Sequence, residues 1–152
     1  MGSVPSRLRA SSGTFTVGQS KRAPRVLVAD DDAQLLRLIA RLLRVAGMEV
    51  EAVASARAAL ERLSNAKFDL VLSDLFAPEM SGTTLAAAAR RLDPALPIVI
   101  VSGHPDGQGA IEDRSLQFVC KPFSNDALLD LVRELIELRA ERSAPLSRRS
   151  VR

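Results

Sequence analysis

The chain has 152 residues, of which 47% are hydrophobic, with a formal charge of +3 and a single cysteine, Cys120. That length suits one domain with its own core, a lone cysteine excludes an intramolecular disulfide framework, and no apolar run approaches the roughly 20 residues that span a bilayer. The N-terminus lacks an apolar core followed by a small-residue cleavage site, so a soluble, cytoplasmic protein is expected.

The charge is unevenly spread. Residues 1–25 hold five basic residues and no acid, and residues 139–152 hold five basic residues against Glu141. Between them, residues 26–138 carry eleven basic and seventeen acidic residues, a net charge of −6. The basic pI therefore belongs to the tails. A nucleic-acid-binding fold would place its basic residues on a structured face, so the tails read as solvated, disordered ends, with weak contact to a membrane surface or nucleic acid as the lesser reading. The expected organisation is a basic leader over 1–23, a folded domain over 24–140 and a basic tail over 141–152.

Val26-Leu27-Val28-Ala29 is a short, Val-rich apolar run that ends in Asp30, Asp31 and Asp32. Such a run predicts a strand buried on both faces, over about 25–30. Leu35, Leu36, Leu38, Ile39, Leu42, Leu43 and Ala46 recur at three- and four-residue spacing, predicting a helix over 33–46. Asp32 reads as its N-cap or a first-turn acid, and Gly47 as a left-handed stop. Met48–Val53 predicts a second strand, and Ser55 caps a helix running to Asn65. Phe68–Asp74 is a third apolar run ending in a carboxylate. Pro78 and Gly82 make the following segment a loop, after which Ser81 can cap a third helix that Asp93-Pro94 ends. Ile98–Val101 predicts a fourth strand, followed by Ser102-Gly103-His104. Two glycines leave residues 105–115 with at most a short helix. Leu116–Cys120 predicts a fifth strand. Ser124 and Asp126 open a last helix whose buried stripe is Leu128, Leu131, Val132, Leu135 and Leu138.

Strands alternating with helices predict an α/β fold around a parallel sheet. Four of the five strands deliver a chemically capable residue at their C-terminal ends: Asp30 and Asp31, Asp74, Ser102, and Lys121. Ligands bind at that edge in open α/β sheets. Adjacent carboxylates repel unless a cation or proton relieves them. Three carboxylates, a hydroxyl and an ammonium describe a phosphoryl-transfer site built around Mg²⁺.

The pieces "VLVADDD", "FDLVLSDLFAPEMSG", "IVIVSG" and "FVCKPF" occur in this order over about residues 25–138. With them the chain resembles the receiver domain of two-component response regulators. The resemblance implies a flavodoxin-like, doubly wound five-stranded parallel sheet of order 2-1-3-4-5 with helices on both faces. It makes Asp74 the phosphoacceptor, attacking a phosphohistidine of a histidine kinase or histidine phosphotransfer protein. It implies Mg²⁺ held by Asp31, Asp74 and the backbone carbonyl of Phe76, with Asp30 acting through water. Ser102 would hydrogen-bond the phosphoryl group and Lys121 would pair with it. Pro122 matches a proline whose peptide bond is commonly cis. Phe118 takes the aromatic switch position coupled to Ser102, with plain core as its rival reading. Phe76 and His104 stand where the family tunes hydrolysis of the acyl phosphate; a loop residue is the plainer reading of His104. The ring of Phe76 is expected to hinder water and prolong the phosphorylated state.

The resemblance implies a signalling phosphoacceptor that assists only its own phosphorylation and dephosphorylation, rather than an enzyme. The fourteen or so residues after the last helix are too few for a DNA-binding domain, so output would run through contact with a downstream protein. A family-like dimer is left open, because residues 105–115 depart from the usual helix of the output face. Three other readings stand beside this one: a pseudo-receiver that binds partners without phosphorylation, a fragment of a hybrid histidine kinase, and a phosphatase-like enzyme on a related scaffold.

Overall fold

The computed structural model describes residues 22–75, 80–103 and 115–143. Among these described residues, nine elements follow in order: β1 Arg25–Ala29, α1 Ala33–Val45, β2 Glu49–Val53, α2 Ala56–Asn65, β3 Leu70–Asp74, α3 Gly82–Leu92, β4 Ile98–Ser102, β5 Gln117–Cys120 and α4 Asn125–Ser143. The five strands form one parallel sheet in the order β2-β1-β3-β4-β5, as expected from the resemblance.

The apolar runs explain the layering. Successive strand side chains point to opposite faces, so a run with no polar interruption must be covered on both. Val26, Val28, Leu70, Leu72, Val99 and Val101 face one layer, where Ile39 and Leu43 of α1 and Leu128, Val132 and Ile136 of α4 cover them. Leu27, Ala29, Val71, Ile98 and Ile100 face the other, under Ala56 and Ala59 of α2 and Leu85, Ala86 and Ala89 of α3. Full burial of each Leu, Ile or Val contributes about 1.5–3 kcal/mol. The small residues of α3 let that helix lie close to the sheet.

Local signals set the helix ends. The Asp32 carboxylate accepts from the N–H groups of Gln34 (3.1 Å) and Leu35 (3.2 Å). Ser55 caps α2 through the Ala58 N–H, and Ser81 caps α3 through the Thr84 N–H. Ser124 accepts from the Ala127 N–H at 3.1 Å at the start of α4. Gly47 has φ +99°, a conformation that a Cβ disfavours.

Two leucines depart from the expected stripes. Leu38 is 48% exposed and Leu138 is 38% exposed. In α4 the core positions are Leu128, Val132 and Ile136; at 3.6 residues per turn the next residue on that line is Arg139, and Leu138 falls on the flank. Ile39 and Leu43 define the buried line of α1, and Leu38 lies beside it. The weak helix expected over 105–115 lies outside the described residues except for Ser115.

Candidate functional site

The sheet register gathers the chemically capable residues at one edge. Ala29 of β1 pairs with Ser73 of β3, so Asp30 and Asp74 each stand one position further at adjacent strand ends. Asp74 pairs with Val101 of β4, which puts Ser102 one step beyond. Ser102 pairs with Cys120 of β5, and the Lys121 N–H donates to the Ser102 carbonyl at 2.8 Å. Ninety residues of sequence separation collapse into one site.

Carboxylate oxygens of Asp30, Asp31 and Asp74 all lie within 4.8 Å of one another. Asp30 is only 4% exposed, Asp31 is exposed and Asp74 is half-buried. Lys121 Nζ lies 3.3 Å from Asp30 Oδ2 and 3.5 Å from Asp74 Oδ1. Three carboxylates thus face one ammonium, a surplus of negative charge that a cation would relieve. An all-oxygen, carboxylate-rich set with one solvent-open member fits Mg²⁺, which takes one or two carboxylates and keeps several waters. Burial pushes the Asp74 carboxyl above its ordinary value; Lys121 opposes this and the Asp30 charge adds to it.

Asp32 is held apart from the cluster of Asp30, Asp31 and Asp74. Its side chain caps α1, and its own N–H donates to Asp30 Oδ1 at 2.9 Å. That bond orients Asp30 while leaving Oδ2 to Lys121. Ser102 is 1% exposed. Phe118, paired with Ile100 across the strands, is half-buried against the core under α2 and α3. The Lys121-Pro122 peptide bond is cis. Phe76 and His104 lie outside the described residues, and with them the expected third ligand carbonyl and both positions expected to tune lifetime. A shallow hollow lined by Leu38, Arg41 and Val45 on the outer side of α1 contains none of these acids. The acids and Lys121 gather instead at the open strand edge.

Two neighbours of Asp74 have contacts that the sequence does not reveal, and Gly82, expected in a loop, is the first residue of α3. Ser73 is a hydroxyl buried to 1% exposure within an apolar strand, and it donates to the Asp74 carbonyl at 3.1 Å. Gly82 is so close to that carbonyl that a Cβ would meet the oxygen at 2.5 Å. The polar residue inside "LVLSD" was the available signal for the first.

The family model of the response regulator receiver domain matches residues 26–133. The chain belongs to the response regulator receiver family. Among its relatives, it is 38% identical over 120 residues to the C4-dicarboxylate transport transcriptional regulatory protein DctD of Rhizobium meliloti, a match covering 77% of this chain and 26% of that protein. The chain thus spans about a quarter of that longer relative. It is 35% identical over 117 residues to the response regulator receiver protein CpdR of Brucella abortus, covering 73% of this chain and 92% of that one. Among solved structures, a response regulator receiver protein from Sinorhizobium medicae superposes with TM-score 0.71 at 35% identity, covering 79% of this chain and 99% of the other. A CheY-like receiver domain protein from Methanospirillum hungatei gives TM-score 0.74 at 27% identity, covering 80% and 99%. These receivers share the doubly wound sheet found here. Among the described residues, no helix of this receiver is long and apolar enough to cross a membrane.

Proposed function

We propose that this receiver is the phosphoaccepting module of a two-component phosphorelay, taking a phosphoryl group onto Asp74 from a phosphohistidine of a histidine kinase or phosphotransfer protein. The observation that carries this reading is the convergence of Asp30, Asp31 and Asp74 within 4.8 Å, with Lys121 between Asp30 and Asp74. A carboxylate oxygen of Asp74 attacks phosphorus, the P–N bond breaks, and the imidazole nitrogen keeps the electron pair as it leaves. Asp31 and Asp74 would hold Mg²⁺, joined by the backbone carbonyl of Phe76, with Asp30 acting through water. Bound there, Mg²⁺ supplies the positive charge that screens acceptor from donor oxygens.

The protein groups divide the remaining work. Asp30, desolvated and hydrogen-bonded by the Asp32 N–H, holds Lys121 at the site. Lys121 can then turn its ammonium to the transferred oxygens, and Ser102 can donate to another. Phe118 and Ser102 form the switch, in which a new dianion biases a two-state element. Phe76 and His104 set the lifetime of the acyl phosphate. The protein acts as a signalling phosphoacceptor in the cytoplasm, not as an enzyme on other substrates, and its output is a changed contact with a downstream protein.

The test is incubation with acetyl phosphate or phosphoramidate, with Mg²⁺ and then with excess chelator. One phosphoryl group per chain, lost in Asp74→Ala and in the chelated sample, is the expected result. Mg²⁺ binding without incorporation would make the chain a pseudo-receiver, and rapid multiple turnover would make it an enzyme.

A further inference from the structure

Ser73 and Gly82 have no part in the chemistry described above, yet both meet the same atom. The Ser73 hydroxyl donates to the main-chain carbonyl of Asp74 at 3.1 Å. A Cβ on Gly82 would lie 2.5 Å from that oxygen, 3.2 Å from the Leu75 Cα and 3.2 Å from the Ile100 Cδ1. Two of those three neighbours are backbone atoms at the end of β3, which cannot swing aside as a flexible side chain could. The Gly82 N–H meanwhile donates to the Leu75 carbonyl at 2.9 Å. The first residue of α3 is thereby fastened directly to the end of the strand that carries Asp74.

A buried hydroxyl costs desolvation unless it is paired, and an alanine would fill the same space in this apolar strand. Ser73 spends its hydrogen bond on the peptide that follows the acceptor carboxylate. We propose that Ser73 and Gly82 are positioning residues for phosphoryl acceptance: together they seat the Asp74 main chain so that its carboxylate stays within reach of Asp30, Asp31 and Lys121. This inference rests on the phosphoacceptor reading of Asp74. Cation and phosphoryl geometry tolerate little displacement, because Mg²⁺ demands near-ideal octahedral coordination and misplacement by about 1 Å can cost about a hundredfold in rate.

The experiment measures Mg²⁺ affinity by isothermal titration calorimetry at a temperature where circular dichroism shows each protein folded. The proteins are wild type, Ser73→Ala, Gly82→Ala, the double variant, and Leu96→Ala as a control. Leu96 is a buried core residue outside the site, so its truncation lowers stability without touching the seat. Ser73→Ala is expected to weaken Mg²⁺ binding about threefold, the scale of one hydrogen bond. Gly82→Ala is expected to weaken it about tenfold or more, since the strand end must move. The double variant falls short of the product of the two, because both act on one carbonyl. Leu96→Ala leaves affinity unchanged while lowering the melting temperature.

Folded Ser73→Ala that binds Mg²⁺ as wild type does would overturn the proposal, as would equal weakening in Leu96→Ala. If Gly82→Ala does not fold, Ser73→Ala against the control decides. Acetyl phosphate labelling of wild type separates this failure from that of the underlying reading: labelled wild type with unaffected variants sinks the seat alone, and unlabelled wild type that binds no Mg²⁺ sinks both.

Discussion

At the residue scale, three adjacent aspartates do three different things because their backbones differ. Asp30 directly follows β1 and is buried, Asp31 opens to solvent, and Asp32 turns its carboxylate onto the first N–H groups of α1. The sequence run "ADDD" shows the acid cluster but does not by itself divide these roles; the spacing to the helix start assigns Asp32, and only the neighbouring strand assigns the others. Replacing Asp32 with Ala is therefore expected to cost about 1 kcal/mol of stability, the value of a lost N-cap, with Mg²⁺ affinity changed far less than in Asp31→Ala. Chemical denaturation alongside calorimetry checks both halves. Asp74 has the opposite character. Its carboxyl titrates above its ordinary value because it is buried, next to the Asp30 charge and only partly compensated by Lys121. A folded-state acid raised in this way binds its proton more tightly than the unfolded chain does, so metal-free stability falls as pH rises from the ordinary aspartate value through the raised one. Above that window the cost is fully present. Asp74→Asn should then melt a few degrees higher than wild type in chelator at pH 7, and lose the advantage near pH 3. Added Mg²⁺ should stabilise wild type and not the variant; equal melting temperatures in chelator at pH 7 would contradict the account.

At the element scale, the strands and most helix ends were legible, and the reasons are local. Unbroken apolar runs give strands covered on both faces, Asp32, Ser55, Ser81 and Ser124 sit where caps are needed, and Gly47 takes the left-handed conformation that ends α1. Leu38 and Leu138 misled because a leucine-rich helix offers more apolar positions than its buried stripe can use; which line turns inward is set by the sheet, not by the helix. The contact between α3 and the end of β3 was not legible either. A glycine after a loop reads as freedom, whereas Gly82 is needed for close approach to a particular carbonyl. Gly47 is the contrasting case. No atom lies within 4 Å of a Cβ placed there, so Gly47→Ala pays only for its positive φ, about 1 kcal/mol. Equilibrium unfolding should show that loss while labelling by acetyl phosphate stays at the wild-type level.

At the scale of the whole molecule, the parallel topology does the assembling. Residues 30, 74, 102 and 121 meet because β1, β3, β4 and β5 run the same way and end at one edge. Membership of the receiver family was legible from four short pieces in register with those strand ends, since each piece couples a buried strand to one chemical group. The distribution of charge between body and tails was equally plain, yet says nothing of what the tails contact. Far from the site, Arg139 of α4 pairs with Asp93 at the end of α3 at 2.7 Å, fastening helices from opposite faces of the sheet. The Asp93 carboxyl is disfavoured by burial but held below its ordinary value overall by that guanidinium, so this clamp contributes at neutral pH and is lost as acid protonates Asp93. On the proposed reading, all of this architecture serves one nucleophile, Asp74. That reading is tested most directly by peptide mass mapping of the chain after treatment with acetyl phosphate and Mg²⁺. A single phosphoryl group on the peptide containing Asp74, abolished in Asp74→Asn and in chelator, is the predicted result; stable labelling at another residue, or labelling that survives in Asp74→Asn, would contradict it.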